Sequence, residues 1–426
     1  MNLPKKLPRL ALNCILAALV LFNVWLLRKG PQVAEHSRHI TQALAAGEKP
    51  EWWDDAAIGV HYGAWIGLGG WAVLLLTQRW WARPWKEEKP EGIPTSEPVR
   101  AWWFWPLLIF AVIVGLGMRL PLAGKSLWWD EVWAAQQAYH GKWKEDTKHP
   151  GALKFLAHDW KRCAFYYQKP TNHVPMSLAQ KASLQLWHRV TKAKPEAFHD
   201  LVARVPSLLA STVAMILIAC LLAAWGHAGA GVAAAMVLAV HPWAIRYGVD
   251  ARAYALVIPL CLGGMLACTA IVRSAGRSVG AWIGFGLVEW LWLWAYPNAL
   301  LDITALNLVT LVYLLKGQSS RPDRWTAWWR LTATNLCAAL VLLQLFLPNL
   351  MQAKRWAGLE KDKHFLNELL LDQTASDLLA GMDHTVPRNL VEAVGIPDLR
   401  AHYMAATLLF VLVILAIAGR CRTLLK

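Results

Sequence analysis

The chain has 426 residues, of which 56% are hydrophobic and 17% charged, with a formal net charge of +15. A soluble protein of this length carries roughly 25% charged residues, and segments of about ten alternating residues, the mark of a membrane β-barrel, are absent. Soluble enzyme and barrel are excluded, and the expected fold class is an all-α polytopic membrane protein.

Apolar windows long enough to cross a hydrocarbon core of about 30 Å as helices fall at 10–27, 57–77, 101–118, 205–225, 229–245, 254–272, 279–296, 298–315, 331–347 and 402–419. Ten spans are therefore expected. Orientation follows from Lys and Arg in the short loops. With the N terminus inside, the inner segments hold 17 basic residues and the short outer loops six. Both termini are then cytoplasmic. Two long segments, 119–204 and 348–401, lie outside, where long loops are largely exempt from the charge rule. Leu, Trp and Ala recur at helical spacing through 127–139, 176–188 and 364–380, so both segments should carry interfacial amphipathic helices. The stretch 84–100, rich in Pro and Glu, reads as an inner linker. It separates an N-terminal two-span hairpin, 1–100, from the remainder, 101–426.

Seven cysteines form no disulfide framework. Cys14, Cys220, Cys261, Cys268 and Cys337 fall within apolar spans as small hydrophobes, and no Cys/His spacing resembles a zinc site. No metal ligand is expected. The 27 tryptophans gather at span ends, as in Trp102, Trp103 and Trp105 or Trp325, Trp328 and Trp329, in the manner of an aromatic belt. Basic charge on loop 119–204 exceeds what orientation requires. It suits an anionic headgroup or a lipid-linked phosphate, whereas nucleic acid is improbable on that face.

Three constellations carry chemistry. The first is Ser126-Leu-Trp-Trp-Asp130-Glu131-Val-Trp133, just past the third span. Its two acids either complement the dipole of a helix's first turn or, partly desolvated between indoles, supply a base. The second is Lys169-Pro-Thr-Asn172-His173-Val-Pro175, where Pro175 opens a helix and Asn172 and His173 mark its start. The third is Arg246-Tyr-Gly-Val-Asp250-Ala-Arg252-Ala-Tyr254, three charges interrupting apolar sequence. Ionisable groups at such a depth pair internally to fix a loop or face a functional cavity. Arg204 and Tyr296-Pro-Asn298 are weaker signals. Asp130, His173, Asp250 and Asn298 all fall on the outer side, although the threading used only Lys and Arg.

In this order the motifs resemble those of the GT-C membrane glycosyltransferases, in the family 39-like branch of protein O-mannosyltransferases and aminoarabinose transferases. Ser-Leu-Trp-Trp-Asp130-Glu131 resembles that family's S-L-W-x-D-E-A, and Asn172-His173-Val-Pro175 its N-H-P-L. Ala203-Arg204-Val-Pro-Ser-Leu-Leu209 resembles L-R-L-P-S-L-L. His241-Pro-Trp-Ala-Ile-Arg-Tyr-Gly-Val-Asp250-Ala-Arg252-Ala-Tyr254 resembles S-P-x-x-I-x-Y-S-Q-E-A-R-x-Y. The resemblance covers about 101–420 and leaves 1–100 without a counterpart.

The resemblance implies a GT-C-like transmembrane domain in the bacterial inner membrane. It also implies a polyprenyl-phosphate-linked sugar donor and inverting transfer to an acceptor glycan, lipid or protein on the non-cytoplasmic face. Asp130 would be the base and Glu131 its support. Lys169, His173, Arg204 and Arg252 would meet the donor phosphate, and Asp250, Tyr254, Asn172 and Asn298 would shape the acceptor or sugar site. A divalent cation is compatible with this chemistry but not required by it. The competing expectation is a non-catalytic subunit of the same fold that packs against a partner complex, with 1–100 as the docking surface.

Overall fold

The structure, a computed structural model, describes residues 7–82, 102–146, 148–167, 172–317 and 321–359. The linker 84–100, Lys169, the expected helix at 364–380 and the tenth span, 402–419, lie outside the described residues.

The elements in chain order begin with α1 (Leu7–Lys29), α2 (Val33–Ala45), α3 (Trp52–Leu76), α4 (Gln78–Trp81) and α5 (Phe104–Ala123). Next come α6 (Trp129–Ala134), which runs into a π-helical turn, and a hairpin of β1 (Gly141–Asp146) and β2 (His149–Ala157). The chain continues through α7 (Trp160–Phe165), α8 (Val174–Thr191), α9 (Asp200–Ala224), α10 (Ala228–Val240) and α11 (Pro242–Val249). It then forms α12 (Tyr254–Arg273), α13 (Val279–Ala295), α14 (Leu300–Gly317) and α15 (Arg321–Leu359). Among the described residues, seven helices are long and apolar enough to cross a bilayer: α1, α3, α5, α9, α12, α14 and α15. α10 with α11 makes an eighth if that bent pair is one span, and α13 is a shorter apolar helix. The chain is a helical, multi-pass membrane protein.

Three expectations are corrected. The window 229–245 is not one straight helix: α10 and α11 meet at a 66° bend. Pro242 opens α11, and the residue before a proline is driven out of the helical region, so His241 is extended at φ −66°, ψ 123°. The bend strands carbonyls at the end of α10. The guanidinium of Arg119, fully buried in α5, donates to Leu238 O (2.9 Å), Ala239 O (3.0 Å) and, beyond the bend, Ala244 O (3.2 Å). A cation at a helix C-terminus also meets the favourable end of its dipole. Around this joint α5, α9 and α10 pack through small residues (Ala111, Ala219, Ala235, Ala239), which let apolar helices approach closely.

The second correction concerns loop 119–204, which is not purely helical. β1 and β2 pair antiparallel, with Trp143 opposite Phe155, ring centroids 5.5 Å apart. Loop 348–401 also begins differently, because α15 runs through Pro348 to Leu359 and so absorbs its first twelve positions.

The N-terminal hairpin packs against a later helix. α1 packs on α3 and α3 along α15. A Cβ at Gly59 would lie 2.4 Å from Pro348 Cα, so only glycine allows that approach. Asn23 Oδ1 accepts from Gln344 Nε2 at 2.6 Å, an interhelical bond of the kind that joins helices in lipid. At the end of α15, Gln352 and Asn349 donate to Phe165 O (2.8 Å) and Ala164 O (3.3 Å). These bonds dock α7 onto the α3–α15 pair.

Candidate functional site

The charged motifs meet where α5 ends and α9 and α12 begin. Glu131, in the first turn of α6, is fully buried. Its Oε2 accepts from Arg204 Nη2 (2.6 Å) and from the backbone N–H of Trp128 (3.0 Å). Its Oε1 accepts from Arg204 Nε (3.2 Å) and from the backbone N–H of Ala251. The rest of the Arg204 guanidinium donates to the carbonyls of Ala123, Lys125 and Ser126. One fork-to-fork pair thus ties four segments together, and the carboxylate's lone pairs are met. Such satisfaction is what a buried ion pair needs to offset its desolvation.

Asp130, one residue earlier, faces differently. Its side chain is one-third exposed, and Oδ2 lies 3.8 Å from Arg252 Nη1. The guanidinium of Arg252 is buried. Its Nη1 also reaches Asp130 O at 3.4 Å, and its Nε has no hydrogen-bond partner. The backbone that presents it is fixed locally. Asp250 O accepts from Ser207 Oγ (2.6 Å) and from the Arg252 N–H (2.7 Å). Burial pushes the Asp250 carboxyl up to about 6, with Glu131 adding to the shift and Arg246, Arg204 and Arg252 opposing it.

Beyond Arg252 is an aromatic group. The Arg252 guanidinium carbon lies 5.8 Å from the Tyr254 ring centre, within cation–π range. Tyr254 in turn neighbours Tyr247 (5.2 Å), His173 (5.9 Å) and Tyr296 (6.4 Å). Tyr247, Tyr254, Gly248, Ser211 and Arg119 line a small cleft here. His173 precedes α8, whose first turn contains Pro175. Its Nδ1 faces Ala295 O at 3.2 Å, so that nitrogen carries the proton. Nε2 is buried without a partner. Desolvation, aided by the Arg252 charge, lowers the imidazole to about 4. A neutral ring whose Nε2 offers a lone pair is an acceptor.

Two further expected site residues make hydrogen bonds within the fold. Arg204 gives its hydrogen bonds to Glu131 and to carbonyls, which makes it a positioning residue. Asn172 is buried and donates to Cys163 O (3.0 Å) and Tyr166 O (2.8 Å), so it secures the end of α7. Asn298 is exposed on a 3-10 turn two residues past Tyr296. The structure thus brings together Asp130, Glu131, Arg204, Asp250, Arg252, Tyr254 and His173. Sequence reasoning missed Arg119, whose role depends on the bend. It also missed Lys181, which is buried in α8 and donates to Tyr139 O (3.2 Å) and His158 O (2.6 Å); nothing local marks it.

No family model matches the chain, and neither a curated protein nor a solved structure matches it. Fold and site define its class: a multi-pass helical membrane protein with a charged and aromatic junction at one end of its helices.

Proposed function

We propose that the chain is a membrane glycosyltransferase of the GT-C kind, moving a sugar from a polyprenyl-phosphate donor to an acceptor on the non-cytoplasmic face with inversion. One observation carries the reading: a partly exposed carboxylate, Asp130, sits 3.8 Å from the buried guanidinium of Arg252. The reaction needs that pairing. An acceptor O–H or N–H attacks the anomeric carbon, its proton passes to Asp130, and the C–O bond to phosphate breaks. The electron pair leaves with the phosphate oxygen. Arg252 would meet that developing charge, since a preorganised cation stabilises it at less reorganisation cost than water. Glu131 and Arg204 hold Asp130 in place through the first turn of α6. The Tyr254, Tyr247 and Tyr296 rings offer faces for a sugar. His173 Nε2 is an acceptor for a sugar or acceptor hydroxyl. Each step uses this chain's own side chains.

The test is direct. Membranes with and without the protein are compared for release of polyprenyl phosphate from a lipid-linked sugar and for loss of a surface glycoconjugate. Release that depends on the protein supports the transferase.

A second reading is favoured by one observation: Glu131 and Arg204 commit their hydrogen bonds to holding the fold together. A non-catalytic subunit would keep those groups. Absence of transfer by the wild type, together with co-purification of a partner complex, would select it.

A further inference from the structure

Outside this site, three metal-ligating side chains meet on the N-terminal hairpin. His36 and His39 stand three residues apart on α2, on one face of the helix. Asp54, in the first turn of α3, comes to both: its Oδ1 lies 2.7 Å from His36 Nδ1 and 3.4 Å from His39 Nδ1. One donor atom from each residue falls within 4.8 Å of the other two. We propose that His36, His39 and Asp54 bind a divalent first-row cation of the zinc type.

The chemistry and the fold both support this. Zinc takes imidazole nitrogen and carboxylate oxygen at about 2.0–2.2 Å, so tetrahedral ligand atoms sit roughly 3.3 Å apart. The 2.7 and 3.4 Å separations from Asp54 Oδ1 bracket that value, and the whole set, within 4.8 Å, closes to it by side-chain rotation of the half-exposed His39. Two imidazoles select such a metal over magnesium or calcium, which prefer oxygen. Asp54 is buried, and a buried carboxylate calls for a compensating cation. His39 is half-exposed, which gives an ion a path from solvent. α2 supplies the independent argument. None of its residues is fully buried, so its apolar contact with α3 is partial, and a metal shared between the two helices would add a clamp. Three protein ligands leave a fourth position for water or an oxygen ligand. Trp52, two residues before Asp54, neighbours Tyr166 with ring centroids 6.4 Å apart. Tyr166 O is one of the carbonyls that Asn172 holds. The metal would thereby link α3 to the end of α7.

The experiment uses the untagged full chain, stripped with chelator in detergent and titrated with zinc chloride against a chromophoric competitor. Metal-edge X-ray absorption follows. The expected result is one equivalent bound, with an N/O shell showing imidazole scattering. His39→Ala, at a half-exposed position that leaves the fold intact, should weaken binding by about tenfold or more, and His36→Ala/His39→Ala should lose that equivalent. No stoichiometric binding by the wild type, wild-type affinity in His39→Ala, or a sulfur shell would each overturn the proposal. Binding is read without any transfer assay, so its outcome is independent of the proposed enzymatic function.

Discussion

Glu131 and Arg204, 73 positions apart in sequence, form a fully buried ion pair in which Oε2 accepts from Nη2 at 2.6 Å. That pair, with the backbone carbonyls and amides it satisfies, sets the positions of α6, the end of α5, the start of α9 and the Asp250–Arg252 loop.

Removing one partner leaves a buried charge uncompensated. Glu131→Gln or Arg204→Met should each destabilise the detergent-solubilised protein by about 3–5 kcal/mol, read as a fall in thermal midpoint. Glu131→Met/Arg204→Met should recover only part of the loss, because the Ala123, Lys125 and Ser126 carbonyls still lose their donor.

Arg119→Met should loosen the bend at His241. The Leu238, Ala239 and Ala244 carbonyls lose their donor, at about 1–3 kcal/mol for each that stays unsatisfied. Faster proteolysis between α10 and α11 would report the change, while unchanged cleavage would show that Arg119 does not hold the joint.

Two site groups give opposite pH dependences. Asp250 has its folded value raised from 3.8 to about 6, so its ionisation opposes folding. Its stabilising contribution is full below about 3.8 and is lost as pH rises through 6. Asp250→Asn should therefore gain stability relative to wild type between pH 4 and 7. His173 is depressed from 6.5 to about 4. Its contribution is present above 6.5 and lost as pH falls toward 4. The cost of His173→Asn should accordingly shrink with acidification. Thermal midpoints across this range, measured for both variants and wild type, check the two signs.

The apolar runs made the spanning helices legible, since length and composition alone define them. The 66° bend was less so: 229–245 is apolar throughout, and only His241-Pro242 marks the break. The β1–β2 hairpin escaped because its alternation is short and mixed with lysines, and nearly all of it is exposed. For the site, the residue types were readable while their roles were not. Adjacent acids look equivalent in sequence, yet the fold buries Glu131 on Arg204 and leaves Asp130 one-third exposed beside Arg252. His36 and His39 carried no signal in sequence, because their third partner, Asp54, belongs to the next helix and only the α2–α3 turn brings the three together.

The central claim is that Asp130 takes the acceptor's proton beside Arg252. It is tested most directly by the turnover of Asp130→Asn in sugar transfer from a polyprenyl-phosphate donor. Because this side chain is partly exposed and outside the Glu131–Arg204 pair, the variant should fold normally and lose about 10²–10⁴-fold in kcat. A folded Asp130→Asn protein that transfers sugar at the wild-type rate would contradict the account.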